Sequence, residues 1–166
     1  MPLVDLPALK EAAPKGAPLV ALDLGTKTIG VAVSDVGWTI ASPIQLIRRS
    51  RFSADAEALF ALMQSRNAGG VIVGLPVNMD GSEGPRCQSA RAFVRNLLRL
   101  RPDLPIAFWD ERLSSAAVNR MLIAEADLSR RRRADLVDKA AAAWILQGAL
   151  DRLRSGASLG SGGVPA

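Results

Sequence analysis

The chain has 166 residues, 49% of them hydrophobic, which is enough for one substantial core, and it has no apolar run long enough to cross a bilayer. It has no histidine and a single cysteine, Cys87, which excludes imidazole-based serine and cysteine hydrolases, an internal disulfide and a Cys/His zinc site. The 21 basic and 16 acidic residues give a formal charge of +5. This excess favours a nucleic-acid partner and no membrane, and a soluble surface that happens to be basic is the alternative.

The chain is predicted to divide into three parts. Residues 1–16 are interrupted by prolines and are predicted to be a flexible leader with at most a short helical turn. Residues 17–154 are predicted to form one domain, and residues 155–166, which are rich in Gly and Ser, a flexible tail. The start of the chain lacks the basic and apolar segments of a secretory signal, so we expect a cytoplasmic protein.

Hydrophobic periodicity and turn residues predict the order of strands and helices. Strands are predicted at residues 18–24, 28–34, 40–47, 71–75 and 106–109, with a long polar loop over 76–86. Helices are predicted from a Ser53 cap to about residue 66 with Gly69 and Gly70 ending it, over 87–100, from a Ser114 cap to about 125, and over 134–154. This order predicts an α/β fold with a mixed five-stranded sheet, antiparallel in its first three strands and parallel afterwards, and helices on both faces.

Asp23 is an acidic residue inside the first, otherwise apolar strand. It shares a face with Leu19 and Ala21, because successive side chains of a strand point to opposite faces. Burying a carboxylate without a partner costs several kcal/mol, so Asp23 needs Lys27, an arginine or a metal ion beside it. The alternative is that Asp23 only caps the turn that follows, a common role of Asp at a strand end.

Further acids follow the last strand and lie in the last helix. Asp110 and Glu111 come directly after residues 106–109, at the end of a parallel strand where ligands usually bind, although pairing with Arg112 is the alternative. Asp138 borders the apolar, alanine-rich face of the last predicted helix, although an Asp near a helix start often just favours the helix dipole. Three carboxylates that converge would suit Mg²⁺ or Mn²⁺, and a pair of such ions can cleave a phosphodiester without histidine.

Four stretches of the chain resemble the motifs of the bacterial YqgF/RuvX family, in the family's order and across roughly residues 18–153. They are Asp23-Leu-Gly-Thr-Lys-Thr-Ile-Gly-Val-Ala-Val-Ser-Asp35, Gly74-Leu-Pro76 with Asp80-Gly81, Asp110-Glu-Arg-Leu113, and Asp138-Lys139 followed by Ala141, Ala142 and Ile145-Leu-Gln147. The resemblance implies an RNase H-like nuclease fold related to Holliday-junction resolvases, and a cytoplasmic role in maturing the 5′ end of pre-16S rRNA. Ser114-Ser115 stands where the family has threonines, and the tails are longer; neither departure touches an acid.

By the same resemblance the catalytic and metal-binding residues are Asp23, Glu111 and Asp138, with Asp110 as the alternate to Glu111. Basic residues beside these acids are candidate contacts to nucleic acid, and a solvated charge run is the alternative. They are Lys27, Arg112, Arg130, Arg131, Arg132 and Arg133. The substrate is predicted to be precursor rRNA or branched DNA, and the sequence leaves monomer and homodimer open.

Two other classes of function compete with a nuclease. The Asp-Leu-Gly-Thr stretch starting at Asp23 also resembles the first phosphate loop of actin-like ATPases and sugar kinases, but 166 residues leave no room for their second lobe. A non-catalytic nucleic-acid-binding protein of ribosome assembly would share the fold, and its function would survive substitution of the acids. Within the nuclease prediction, a Holliday junction resolvase of DNA recombination or repair is the alternative to rRNA processing.

Overall fold

The computed structural model describes the backbone of residues 5–113 and 130–161, and the side chains of residues 5–113, 137 and 140–155. The predicted helix at residues 114–125 lies outside the described residues. In the described part of the chain, no helix combines the length and the apolar character that crossing a membrane requires.

A five-stranded sheet forms the centre of the fold. Its strands are β1 (Leu19–Leu24), β2 (Thr28–Ser34), β3 (Ala41–Arg48), β4 (Gly70–Leu75) and β5 (Ile106–Asp110). They lie in the order β3-β2-β1-β4-β5. The pairs β1–β2 and β2–β3 are antiparallel, whereas β1–β4 and β4–β5 are parallel. The predicted mixed α/β sheet is therefore confirmed.

Helices cover both faces of this sheet. They are α1 (Leu6–Ala12), α2 (Phe52–Arg66), α3 (Pro85–Leu100) and α4 (Arg130–Ser161), and a 3₁₀ turn (Glu111–Leu113) follows β5. Side chains alternate between the two faces along β1, so the strand contributes to two cores. Val20 and Leu22 lie in the core shared with α2 and α3, whereas Leu19 and Ala21 lie in the core shared with α1 and α4. Position 23 falls on the α4 face by the same alternation.

The last residue of α2, Arg66, is as predicted, but the start of the helix and the residue that terminates it differ from the prediction. The helix begins at Phe52 rather than behind a Ser53 cap, and its cap residue Arg51 makes no side-chain capping bond. The buried Asp55 carboxylate instead reaches back and accepts from the backbone N–H of Ser50 at 3.1 Å. The residue after the helix is Asn67, and its φ of 55° supplies the left-handed conformation expected of Gly69 and Gly70.

The structure places helices within both terminal segments of the described chain. Within the predicted flexible leader, α1 is capped by Asp5, whose carboxylate accepts from the backbone N–H of Ala8 at 2.9 Å. Leu9 is completely buried and Ala13 nearly so, against the core shared by β5 and α4. At the other end, α4 begins at Arg130, within the arginine run, and continues to Ser161, into the predicted tail.

The burial of Leu9 predicts that α1 stabilises the whole domain. Leu9→Ala removes a fully buried side chain, so the free energy of unfolding should fall by about 2–5 kcal/mol. Urea denaturation measures the change, and Lys10→Ala, on the exposed side of the same helix, is the matched control. Equal stabilities of the two variants would contradict the packing of α1.

Candidate active site at the carboxyl edge of the sheet

Asp23 lies near the end of the central strand β1, where parallel strands end together. In the register of β1 with β4, Leu22 is opposite Val73, so the next residues along the two strands are Asp23 and Gly74. Gly74 in turn pairs with Trp109 of β5. The side chain of Asp23 is buried, with 9% of its surface exposed, on the face that α4 covers.

Glu111 reaches the same place from β5. It is the first residue of the 3₁₀ turn and is 7% exposed. A Cβ atom built on Gly74 would lie 3.2 Å from Glu111 Oε2 and 2.5 Å from Ile145 Cδ1 of α4. The Glu111 carboxylate thus lies over the backbone of β4, the strand next to Asp23. The structure brings these two acids to the same edge and the same face of the sheet.

The third candidate acid, Asp138, lies in α4, and its side chain is outside the described residues. It stands seven residues, about two helical turns, before Ile145, which packs over Gly74. Among the described side chains, no group of three or more acids or cysteines forms a metal site. The convergence of Asp138 with Asp23 and Glu111 remains a prediction.

Asp110 is engaged by Arg112 instead of facing Gly74. The guanidinium donates to both carboxylate oxygens, with Nη2 at 2.6 Å from Oδ2 and Nε at 3.1 Å from Oδ1. The backbone N–H of Arg112 adds a third donor at 2.9 Å. The hydrogen bonds from the Arg112 side chain, then its backbone N–H, hold the pKa of Asp110 below its usual value despite partial burial. Because Asp110 is paired in this way, Glu111 is the better candidate of the two acids for a metal ligand.

Arg112 also anchors the loop of residues 76–84. Its Nη1 atom donates to the carbonyl of Met79 at 3.4 Å. Within the loop, Asp80 accepts from the hydroxyl and the backbone N–H of Ser82, and these bonds lower the pKa of Asp80. The loop is shorter than the predicted 76–86, because Pro85 occupies the first turn of α3. Arg112, a predicted nucleic-acid contact, therefore connects the end of β5 to this loop.

The other predicted contacts to nucleic acid are described by the structure to different extents. Lys27 is exposed in the turn between β1 and β2, directly after Asp23 and Leu24. Arg130 to Arg133 form the first turn of α4, and their side chains lie outside the described residues. Trp109 is a core residue whose buried Nε1 has no hydrogen-bond partner among the described residues, and Trp144 is half-buried.

Sequence reasoning missed the role of Gly74, although the residue was part of a recognised motif. A glycine in a buried strand signals the close approach of another group, and here the groups are the Glu111 carboxylate and Ile145. It also missed Arg49 and Arg86, whose guanidinium groups reach the β1–β2 turn. Neither arginine neighbours an acid in sequence, so only the fold shows where they point.

Gly74→Ala should disturb both neighbours of the glycine. The added Cβ would lie 2.5 Å from Ile145 Cδ1, so we expect a loss of about 1–3 kcal/mol in the free energy of unfolding, measured by urea denaturation. Ile145→Val removes that Cδ1 atom, and the double variant should lose less stability than the sum of the two single variants. Gly37→Ala is the control, because its Cβ would meet nothing closer than 3.5 Å. Strict additivity would contradict the close contact.

The Asp110–Arg112 pair predicts a dependence of stability on pH. Because folding lowers the pKa of Asp110, its contribution is present above the unfolded pKa, near 4, and is lost as pH falls through the folded value. A double-mutant cycle with Asp110→Asn and Arg112→Gln, measured by urea denaturation, should show coupling at pH 7 that is unchanged at pH 5. The coupling should shrink at pH 3 and below; a coupling that grows on acidification would contradict the assignment.

Comparison with known proteins shows the family and the fold of the chain. Residues 17–152 match the family described as RuvX, Holliday junction resolvase. The chain is 70% identical to a proposed pre-16S rRNA nuclease of Phenylobacterium zucineum, over 92% of this chain and 96% of that protein. It is 64% identical to one of Caulobacter vibrioides, over 93% and 99%. The fold is similar to T. thermophilus RuvC in complex with a Holliday junction substrate, with a TM-score of 0.50 and 14% identity over 84% of this chain and 96% of that one. The chain belongs to the RuvX family and has its RNase H-like fold.

Proposed function

We propose that this chain is a nuclease that depends on Mg²⁺ or Mn²⁺ and hydrolyses phosphodiester bonds at the carboxyl edge of its sheet. One observation carries the proposal. The Glu111 carboxylate lies over Gly74, between β5 and the end of β1 that bears Asp23. Acids that are distant in sequence thereby share one face of one edge, as the proposed chemistry requires.

The described residues fit a divalent cation by their chemistry. Carboxylate oxygens are the ligands that Mg²⁺ prefers, and Asp23 and Glu111 present two carboxylates in a largely buried setting. In the proposal these two hold the metal together with Asp138, the acid two turns before Ile145. A pair of divalent ions held by these residues would supply a water activated for attack and would neutralise charge at the phosphate.

The chain's own groups position and hold the substrate. Without histidine, proton transfer by imidazole is excluded, so the acid–base chemistry of the site falls to Asp, Glu, Lys or metal-bound water. Arg112 keeps Asp110 ionised and turned away while it fixes the loop of residues 76–84 at the site's border. Lys27 and Arg130 to Arg133 are proposed to contact phosphates on either side.

We propose precursor 16S rRNA as the substrate and maturation of its 5′ end in the cytoplasm as the role. Support comes from relatives of 64–70% identity that are described as proposed pre-16S rRNA nucleases. A second candidate is resolution of Holliday junctions, favoured by the description of the matching family. Both candidates use the same acids and differ only in the nucleic acid that the surface accepts.

The direct test compares the wild type with Asp23→Asn and Glu111→Gln on labelled 16S rRNA precursor and labelled four-way junctions. With Mg²⁺ or Mn²⁺ present, each variant should cleave at least about 100-fold more slowly, which corresponds to ~2.7 kcal/mol. Chelation by EDTA should abolish cleavage by the wild type. The substrate that the wild type cleaves faster identifies which of the two candidate roles is correct.

Two matched substitutions sharpen this test. Asp103→Asn removes an exposed acid before β5, at the opposite edge of the sheet, and should leave cleavage unchanged. Asp110→Asn should lower the rate less than Glu111→Gln, because Asp110 is held by Arg112. Undiminished cleavage by folded Asp23→Asn would remove the acid from the mechanism. Function that survives all the substitutions would favour a non-catalytic assembly protein.

A further inference from the structure

Arginines from three elements gather around the turn that follows Asp23. The Arg49 guanidinium donates from Nη1 to the carbonyl of Gly25 at 2.6 Å, and the Arg49 backbone N–H donates to the carbonyl of Lys27 at 2.8 Å. Arg86, at the start of α3, donates from Nη2 to the carbonyl of Leu24 at 3.4 Å. Arg48 lies opposite Thr28 in the β2–β3 register. The β1–β2 turn is thus bordered by cations.

Arg49 differs from the other cations in its surroundings. Its side chain is 25% exposed, lies 4.0 Å from the buried carboxylate of Asp55, and stacks over the ring of Phe93 at 5.7 Å. These contacts hold it in place, so Arg49 supports the turn from inside. Three arginines, Arg48, Arg51 and Arg86, are exposed to solvent around it. We call these three residues the basic rim.

Nearby acids do little to cancel the charge of the basic rim. Asp55 is buried and is engaged by Arg49 and Ser50. Glu83 forms a two-pronged pair with Arg91, with both N–O distances 2.7 Å. Glu57 is exposed, but it lies more than a turn further along α2. The N-terminus of α3 adds its positive dipole end beside Arg86.

Two members of the basic rim, Arg51 and Arg86, lie on the opposite side of the sheet edge from the acids, at the starts of α2 and α3, which pack on the face that carries Leu22. Arg48 follows Ile47, a residue of that same core, so by alternation along β3 it lies on the other face, at the end of the strand. Asp23 and Glu111 lie on the face that α4 covers. A polyanion that contacts both must therefore cross the edge over the β1–β2 turn, next to Lys27.

We propose that the basic rim binds the sugar–phosphate backbone of the nucleic acid around the edge of the sheet and onto its α2/α3 side, away from the bond that is cut. This inference rests on the proposed nuclease function, because it assigns the path of that substrate. Exposed arginines suit phosphate, since the planar guanidinium can donate two parallel hydrogen bonds. Contacts to phosphate carry no sequence information, so the rim would bind a nucleic acid of any sequence.

The test compares two triple variants of equal charge. Arg48→Gln, Arg51→Gln and Arg86→Gln remove the basic rim. Arg66→Gln, Arg95→Gln and Arg99→Gln remove three exposed arginines at the end of α2 and in the second half of α3. Binding to a labelled duplex and to a labelled single strand of about 25 nucleotides is measured in EDTA over a range of salt concentrations, so that no cleavage is needed.

The rim variant should make the negative slope of log affinity against log salt shallower by about 2–3, because each lost phosphate contact reduces its magnitude by about 0.7–0.9. The control variant should change the slope by less than 1. Circular dichroism and the urea midpoint verify the fold. A double variant at Arg48 and Arg51, which keeps the Arg86 contact to Leu24, should show about two thirds of the slope change of the triple variant.

The outcomes separate this inference from the function on which it rests. Equal slopes for the two triple variants would overturn the basic rim, even if the wild type cleaves nucleic acid and Asp23→Asn does not. A wild type that binds through the rim but cleaves neither precursor rRNA nor junctions would refute the nuclease and leave the rim standing. Binding of the rim to an acidic protein, with no binding to either nucleic acid, would also overturn the proposal.

Discussion

The site depends on the absence of a side chain at Gly74. In a parallel sheet the carboxyl ends of neighbouring strands meet, but a side chain on β4 would separate the residues of β1 and β5 that flank it. With only hydrogen at that position, Glu111 Oε2 and Ile145 Cδ1 both come within contact of the β4 backbone. A single contact region thus joins an acid after β5, the helix α4 and the strand next to Asp23. Packing and site geometry are consequences of the same close approach.

Electrostatic pairing then assigns separate tasks to adjacent acids. Asp110 and Glu111 are neighbours in sequence, yet one carboxylate is held by Arg112 and the other lies over Gly74. The same guanidinium reaches the carbonyl of Met79, so the pair also fixes the loop next to the edge. On the opposite side, Arg49 performs a comparable task for the β1–β2 turn through Gly25 and Asp55. In both places an arginine supports a turn or a loop, and the exposed cations nearby are the proposed phosphate contacts.

Much of the fold could be predicted from sequence because its strands are short apolar runs bounded by turn residues; β2, for example, has the predicted bounds Thr28–Ser34. The ends of α2 could not, because Asp55 and Asn67 replaced the expected Ser and Gly signals through contacts that depend on the fold. The packing of α1 was also missed, since Leu9 has its partners in β5 and α4, about a hundred residues or more away. The placement of Asp23 and Glu111 on one edge follows from alternation and parallel pairing, so it could be predicted. The direction of the Asp110 side chain could not, because it depends on the contact with Arg112.

The burial of Leu9 has a consequence for synthesis of the chain. The core cluster that contains Leu9 includes Trp109, Leu150 and Leu153, so the hydrophobic surface on which α1 packs is complete only after α4 has left the ribosome. Because chains emerge from their N-terminus, α1 has to wait undocked while the sheet assembles. A nascent chain that ends before α4 would therefore lack much of the packing surface of α1, and one face of its sheet would be without the α4 cover.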